Sequence, residues 1–238
     1  KAIPLTTEVR QLLGVSREWL DPYSLIAAIL KCSADLLWFG GIGTYVKAAS
    51  ESHSQVGDPS NDLLRIDAEA LRVKVIGEGA NLGITQAGRI AFAQGGGRLN
   101  TDFIDNSAGV DCSDKEVNIK VALSGALRRD ELSAADRDAL LVTMTDEVSA
   151  LVLADNHAQN LALSLFGRNG AAALPSQLRL IEALEMSGRI DRSVDAVASN
   201  DEFERRMGRG EGLTRPELAV LLSHAKLAIQ NELEGCGA

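Results

Sequence analysis

Two glycine-rich segments follow apolar runs and could let a ligand approach the backbone. Gly40-Gly-Ile-Gly-Thr44 follows the apolar run 34–39, and Gly77-Glu-Gly-Ala-Asn-Leu-Gly83 follows the β-branched run 71–76. The second segment spaces its glycines as G-x-G-x-x-x-G, whereas the usual dinucleotide fingerprint is G-x-G-x-x-G. Two interpretations stay open: the segment contacts a cofactor, or it is a tight turn in which glycine permits a positive φ angle.

Asn81 and Asn106 each stand just after an expected strand. A carboxamide donates and accepts at once, which suits a ribose hydroxyl or an amide, although an asparagine in a loop can also support its own turn. Ligands of open parallel sheets bind beyond the carboxyl ends of the strands. We therefore expect the segments 40–44, 77–83 and 105–109 to share one edge of a sheet.

The elements that must position these loops alternate between strand and helix. Thr6 and Gly14 bound a short helix, and Asp21-Pro22 opens a second one that runs to Lys31. Residues 48–63 are expected to form a loop. Buried strands are expected at 34–39 and 71–76, a third strand at 98–104, and helices at 85–94 and from Asn106 to about 127. This alternation is typical of a parallel sheet with crossover helices.

The second half of the chain is Ala/Leu-rich, and its spacing is helical throughout. Caps at Ser133 and at Thr214-Arg-Pro-Glu217 open helices to about 166 and 233, and further helices are expected at 176–187 and 200–207. Arg206, in the charged stretch 201–212, is expected on an exposed helix end. The predicted fold is α/β: a partial Rossmann-like, doubly wound parallel sheet in residues 1–127, followed by an all-helical C-terminal region in 128–238.

Composition excludes several classes of protein. The net charge is −9 and only nine residues are aromatic, which argues against a nucleic-acid surface. No apolar run is long enough for a membrane span, and the start at Lys1, which resembles no signal peptide, suggests a piece of a longer protein. No metal site is expected from the well-separated His53, His157 and His224, and a reducing, cytoplasmic location is expected from three cysteines without a C-x-x-C pair.

Several long segments resemble the large bacterial NAD-specific glutamate dehydrogenases. They are "DLLWFGGIGTYVKA", "GEGANLGITQAGRIAF", "LNTDFIDNSAGVDCSDKEVNIK", "MTDEVSALVLADNHAQNLALSL" and "GLTRPELAVLLSHAKLA". The resemblance implies NAD as cofactor, L-glutamate and 2-oxoglutarate as substrate and product, and a homo-oligomer in the full-length protein. It also implies that the phosphate-binding loop lies upstream, so "GEGANLG" is a loop on the nicotinamide side.

The same resemblance implies roles for individual residues. Asn81 and Asn106 are expected near the cofactor, and Gly40, Gly41, Gly79 and Thr44 belong to loops beside the nicotinamide. Ser113 is expected to approach the side-chain carboxylate of glutamate, because a hydroxyl at the start of a helix can help to hold an anion. Glu78 would either orient this side of the site or accept hydrogen bonds from loop amides.

The catalytic residues of that family are not recognisable in this chain. Its lysine belongs to a "GGxK"-type motif, whereas Gly95-Gly-Gly-Arg98 ends in an arginine, which stays charged. No turnover is therefore expected from this chain alone. Two other interpretations stay open: a non-catalytic helical assembly module of a larger protein, and a different nicotinamide-dependent amino-acid dehydrogenase.

Overall fold

The computed structural model describes residues 2–236. Short strands and helices alternate up to residue 94, in the order β1 Ile3–Pro4, α1 Thr7–Leu13, β2 Trp19–Leu20, α2 Pro22–Leu30, β3 Ser33–Phe39, β4 Val46–Lys47, α3 His53–Val56, β5 Ile66–Asp67, β6 Arg72–Glu78 and α4 Gln86–Gln94. Single 3-10 turns lie at Pro59–Asn61 and Ala68–Ala70.

Only helices and turns follow in the described chain. They are α5 Asp102–Asp105, α6 Ser107–Arg128, α7 Ala134–Phe166, a 3-10 turn at Gly170–Ala173, α8 Leu174–Met186, α9 Asn200–Arg209 and α10 Arg215–Gly235. The prediction of an all-helical C-terminal region after an α/β part is confirmed.

Local capping explains why the predicted helix starts are correct. Thr6, Asp21 and Thr85 each accept a hydrogen bond from a backbone N–H in the first turn of α1, α2 and α4. Gly14 ends α1 in the left-handed conformation that a residue without Cβ adopts cheaply. Thr214 forms a capping box with Glu217 at the start of α10. Side-chain caps occupy backbone donors that the helix itself leaves unpaired.

The main strand pair is β3 and β6, which run parallel from Ser33 opposite Arg72 to Phe39 opposite Glu78. The third strand predicted at 98–104 is wrong: only a single bridge, Val75 to Arg98, extends the pair on that side. The chain enters helix α5 at Asp102. The buried side chain of Asp102 is bonded to Arg89 on α4 and to the loop after β6. Separate two-stranded pairs join β1 to β2 and β4 to β5.

The prediction that β3 is a buried strand is also wrong. Leu36 and Trp38 are 56% and 61% exposed, and Phe39 is the only residue of the strand in the buried class. Within residues 2–236, β3 has a strand partner along one edge only. One face of an edge strand therefore carries apolar side chains that nothing in the described chain covers.

The chain divides into two compact units. One contains Lys1–Asp102 and Leu163–Ala238, and the other contains Phe103–Ala162. In the first unit, one core surrounds the β3–β6 pair and includes Phe39, Ile76 and Phe92, and a second core joins α8, α9 and α10 through Ile181 and Phe203. Helix α10 packs directly against α4. The domain boundary expected at 127/128 follows sequence texture and stays a prediction.

The charged stretch 201–212 does not form an exposed end throughout. Arg206 is only 4% exposed, and its Nη1 donates to both carboxylate oxygens of Glu217 at 2.9 Å. Glu202, one turn earlier in α9, accepts from Arg206 Nε at 3.0 Å. The expectation that Arg206 lies on the surface is therefore wrong, because an acidic partner on α10 makes its burial tolerable.

Candidate functional site

Two of the three predicted loops leave the same edge of the parallel pair. Gly40 follows β3 and Gly79 follows β6, and the two strands are in register at their carboxyl ends. The Gly79 N–H donates to Phe39 O at 2.9 Å, and the Tyr45 N–H donates to Gly83 O at 2.9 Å. The loops are thus joined to each other at both ends. Gly40, Gly41, Gly79 and Asn81 are all exposed along this edge.

The glycines of the second loop are required by close packing rather than by a positive φ angle. A Cβ added to Gly77 would lie 2.5 Å from Trp38 Cε3, and one added to Gly79 would lie 2.8 Å from Trp38 Cζ2. Neither glycine has a positive φ angle; in this loop it is Leu82, at φ +56°, that does. The indole of Trp38 therefore packs on the backbone of Gly77 and Gly79. The expected tight turn is present, but the residue with the positive φ angle is Leu82 and not a glycine.

Leu82 occupies a conformation that costs an ordinary side chain about 1–2 kcal/mol. Its backbone N–H donates to Asp102 Oδ2 at 2.7 Å. A hydrogen bond from a backbone amide to a carboxylate is among the stronger kinds in proteins. Asp102 therefore helps to hold the turn that follows Asn81.

Behind this loop lies a buried cluster of three charged side chains. Arg89 Nη2 is 2.7 Å from Glu78 Oε2 and 3.1 Å from Asp102 Oδ1, and Arg89 Nε is within 3.0 Å of both oxygens of Glu78. The side chains of Glu78 and Arg89 are 1% and 3% exposed. Removing one partner from such a pair leaves a buried charge and costs about 3–5 kcal/mol. The carboxylate of Glu78 thus binds Arg89, a partner that neither expected role of Glu78 named.

The first loop is held through the backbone of Thr44. The Thr44 N–H donates to Asp58 Oδ2 at 2.9 Å, and Arg65 Nε donates to Thr44 O at 2.7 Å. The Arg65 side chain has no exposed surface, and Thr44 itself is buried. Asn61 donates to the same Asp58 oxygen at 2.7 Å. These hydrogen bonds from Asn61 and Thr44, with the nearby Arg65 charge, lower the pKa of Asp58.

Position 43 requires glycine because the side chains of Asp58 and Asn61 leave no room for a Cβ atom. A Cβ at that position would lie 2.1 Å from Asn61 Nδ2 and 2.7 Å from Asp58 Oδ2. The loop expected at 48–63 therefore acts as a support for the first glycine segment. It contains the short helix α3 and supplies the side chains of Asp58 and Asn61. The backbone carbonyl of Asp58 in turn accepts a hydrogen bond from Arg65 Nη2.

The remaining predicted residues belong to the second unit. Asn106 is half-buried and precedes α6, as the sequence predicts. Ser113 is exposed and is the seventh residue of α6. The physical reason given for Ser113, a hydroxyl at the start of a helix, is therefore wrong, because Ser113 lies beyond the first turn, where the effect of the helix terminus has fallen off. The expected contacts of Asn106 and Ser113 with cofactor and glutamate stay predictions.

The histidines are dispersed, as their spacing suggests. His157 is exposed on α7, His224 Nε2 is 3.3 Å from Asp195 Oδ1, and His53 Nδ1 is 2.8 Å from Arg65 Nη1. Within residues 2–236, no three His, Cys, Asp or Glu side chains are grouped so that they could hold a metal ion. No helix of the part of the chain described here is both long and apolar enough to cross a membrane.

Sequence reasoning missed the residues that support the two loops. Asp58 and Arg65 lie outside the segments that resemble the family, and they support the first loop from a long connection. Arg89 and Asp102 lie inside two of those segments, but the resemblance assigned them no role. Asp102 had one available signal, since an acidic residue about 20 positions after a glycine loop is the expected ribose partner in dinucleotide sites. In this structure that carboxylate supports the loop instead.

Parallel strands with glycine loops at their carboxyl ends define an α/β protein whose candidate site lies at a strand edge. The family described as "Bacterial NAD-glutamate dehydrogenase, catalytic domain" matches residues 1–166. The chain belongs to this family.

Curated relatives agree along nearly the whole chain. NAD-specific glutamate dehydrogenases of Pseudomonas aeruginosa and Mycobacterium tuberculosis are each 47% identical over 98% of the chain, and that of Halomonas elongata is 45% identical over 98%. The matched part is 14%, 15% and 14% of those proteins, respectively. The chain thus spans about one seventh of the length of the relatives that it matches.

Proposed function

We propose that this chain forms the nicotinamide side of the cofactor site in an NAD-dependent glutamate dehydrogenase. The full protein would convert L-glutamate, NAD and water to 2-oxoglutarate, ammonia and NADH. The observation that supports this most directly is the family match over residues 1–166, which includes both glycine loops. We further propose that the full-length enzyme is a cytoplasmic homo-oligomer.

The exposed loop residues fit a planar ring bound at the strand edge. A Cβ added to Gly40 or Gly41 would meet no heavy atom within 4 Å, so the backbone there is open to close approach. Asn81 is exposed on the neighbouring loop, and its side chain is a carboxamide, a group that can both donate and accept. Gly40, Gly41, Gly79 and Asn81 would hold the nicotinamide end, and the buried Thr44 would contribute by fixing its loop. NAD supplies the hydride-accepting chemistry when bound.

The contribution of this chain to the reaction would be orientation. Holding a ring and a substrate carbon at short range lowers the entropic part of a barrier. Asn106 would touch the cofactor and Ser113 would approach the substrate carboxylate. Because no "GGxK"-type lysine is present, we expect the isolated chain to show no glutamate-dependent reduction of NAD.

The open edge of β3 supports a partial Rossmann-like sheet. An edge strand with unpaired backbone groups and exposed apolar side chains is a template for a further strand. Leu36 and Trp38 expose more than half of their surface on that strand. We propose that preceding parts of the full protein continue a doubly wound sheet at this edge, with the domain boundary near 127/128.

Substitutions in the full-length enzyme test the assigned residues. Asn81→Ala should raise KM for NAD by up to about tenfold, because one ligand hydrogen bond contributes roughly 0.5–1.5 kcal/mol. Ser113→Ala should raise KM for glutamate instead. Asn118→Ala is the matched control, since Asn118 is exposed and bonded to Asp114 O on α6. Unchanged kinetics for both variants would refute the site assignment.

A second candidate function is a helical assembly module. Val110, Val117 and Val121 lie on one side of α6 and are each more than half exposed, which is typical of a helix face that docks on a partner. Calorimetric titration of the chain with NAD, together with size-exclusion chromatography, separates the candidates. A multimer without measurable NAD binding would favour assembly.

A further inference from the structure

We propose that Arg89 is a positioning residue for the NAD site, acting through Glu78 and Asp102 on the loop that presents Asn81. This inference rests on the proposed function, since it assumes that Asn81 contacts the cofactor. Arg89 itself is buried and would not touch NAD.

Arg89 is linked by hydrogen bonds and ion pairs to the chain on both sides of Asn81. Glu78, the last residue of β6, lies three positions before Asn81 and is bound by Nε and Nη2 of Arg89. Leu82 follows Asn81, and its N–H is bound by Asp102, which in turn pairs with Arg89 Nη2. One guanidinium on α4 therefore connects the start of the loop to the turn behind its functional side chain.

The bond to Asp102 acts on the orientation of Asn81 directly. The Leu82 N–H belongs to the same planar peptide unit as the carbonyl group of Asn81. Fixing that N–H fixes the plane through which Asn81 is attached to the next residue. The positive φ angle of Leu82 makes the arrangement dependent on such support, because a leucine relaxes from this conformation when it is free to do so.

Arginine is needed at this position because three contacts must be made at once. Its planar fork serves the two oxygens of Glu78 and one oxygen of Asp102, whereas a lysine ammonium is a single point charge on a flexible stem. Arg89→Lys keeps the charge in the buried cluster but cannot reproduce the fork. Asp102→Asn keeps the shape but offers one acceptor oxygen for two donors.

A residue with a purely structural role, here called a structural staple, would give different kinetics from a positioning residue. If Arg89 only joins α4 to β6, its loss lowers stability without a selective effect on the cofactor. Arg206 provides the matched control, because it is another buried arginine that donates to both oxygens of a glutamate in the same unit. Arg206→Lys should reproduce the stability loss without the kinetic effect.

The experiment uses the full-length enzyme with Arg89→Lys, Asp102→Asn, Arg206→Lys and Asn81→Ala. We expect Arg89→Lys and Asp102→Asn to raise KM for NAD about tenfold, with KM for glutamate changed less than about twofold. Arg206→Lys should lower the melting temperature and leave both constants unchanged. Asp102→Asn keeps the test decisive if Arg89→Lys does not fold.

Two results would overturn the inference, and they have different meanings. If Asn81→Ala raises KM for NAD but Arg89→Lys and Asp102→Asn change only the melting temperature, the cluster is a structural staple and the proposed function stands. If Asn81→Ala itself leaves NAD kinetics unchanged, the assignment of Asn81 fails, and the positioning role fails with it.

Discussion

Replacing Arg65 by methionine tests how far the first glycine loop depends on one buried guanidinium. Methionine retains an unbranched apolar stem of similar length but no donors. The carbonyl oxygens of Thr44 and Asp58 both lose their bond to Arg65, and Asp62 Oδ1 loses a partner at 2.5 Å. The charge is removed at the same time from a site with no exposed side-chain surface.

The magnitude follows from these lost bonds. A hydrogen bond to a charged group contributes about 1.5–3 kcal/mol, and the two backbone acceptors account for most of the loss. The bond to Asp62 counts for little, because more than a third of that side chain is exposed and water replaces the donor. We expect local destabilisation of about 3 kcal/mol, which is about 100-fold in the opening equilibrium.

Hydrogen exchange, measured by mass spectrometry on peptides covering 40–47, reports the opening equilibrium of this loop. The Thr44 and Tyr45 amides are bonded to Asp58 and Gly83 and should exchange about 100-fold faster in Arg65→Met. Arg72→Met is the control, because Arg72 is exposed and its Nε also donates to a backbone carbonyl, that of Lys31. Unchanged exchange at 40–47, or equal acceleration in peptides from α8 and α9, would refute the role of Arg65.

Two further outcomes follow from the packing and the charges of the same edge. Gly77→Ala should destabilise the chain by about 1–3 kcal/mol, because its Cβ forces Trp38 off the strand pair, and the tryptophan fluorescence of Gly77→Ala should differ from that of Gly40→Ala, whose Cβ meets open space. The lowered pKa of Asp58 means that its carboxylate stabilises the fold above the ordinary aspartate pKa and that this contribution is lost as pH falls through the lowered value. Exchange at 40–47 should therefore rise, relative to its intrinsic rate, below about pH 4, and Asp58→Asn should abolish that acid transition; persistence of the transition in the variant would contradict this reasoning.

Local signals made the helices predictable. Thr6, Asp21, Thr85 and Thr214 each cap a helix within three residues of their own position, so a short window of sequence contains the whole interaction. The parallel order of the strands also followed from the strand–loop–helix rhythm, and with it the shared edge of the first two loops. The helix caps depend on neighbours in the chain and not on tertiary partners.

Most of the errors involve partners that are distant in sequence, whereas the error for Ser113 is local, because α6 begins six residues before it. The segment 98–104 has strand-like composition, but Asp102 is bonded to Leu82 and Arg89, and the extended conformation ends there. Arg206 is polar and lies in a charged run, yet Glu217 on another helix permits its burial. The role of Glu78 was missed for the same reason. Single-sequence patterns carry no information about which buried charge will meet which.

The packing of α10 on α4 has a consequence for synthesis of the protein. Gln86 Nε2 donates to Pro216 O at 3.1 Å across 130 residues, and Arg215 on α10 is bonded to Asn100. A ribosome adds about 5–20 residues per second, so the partner of α4 emerges many seconds after α4 itself. During that interval only the part of α4 that contacts α10 lacks its partner, because Phe92 packs in a core that Phe39 and Ile76, earlier in the chain, help to form.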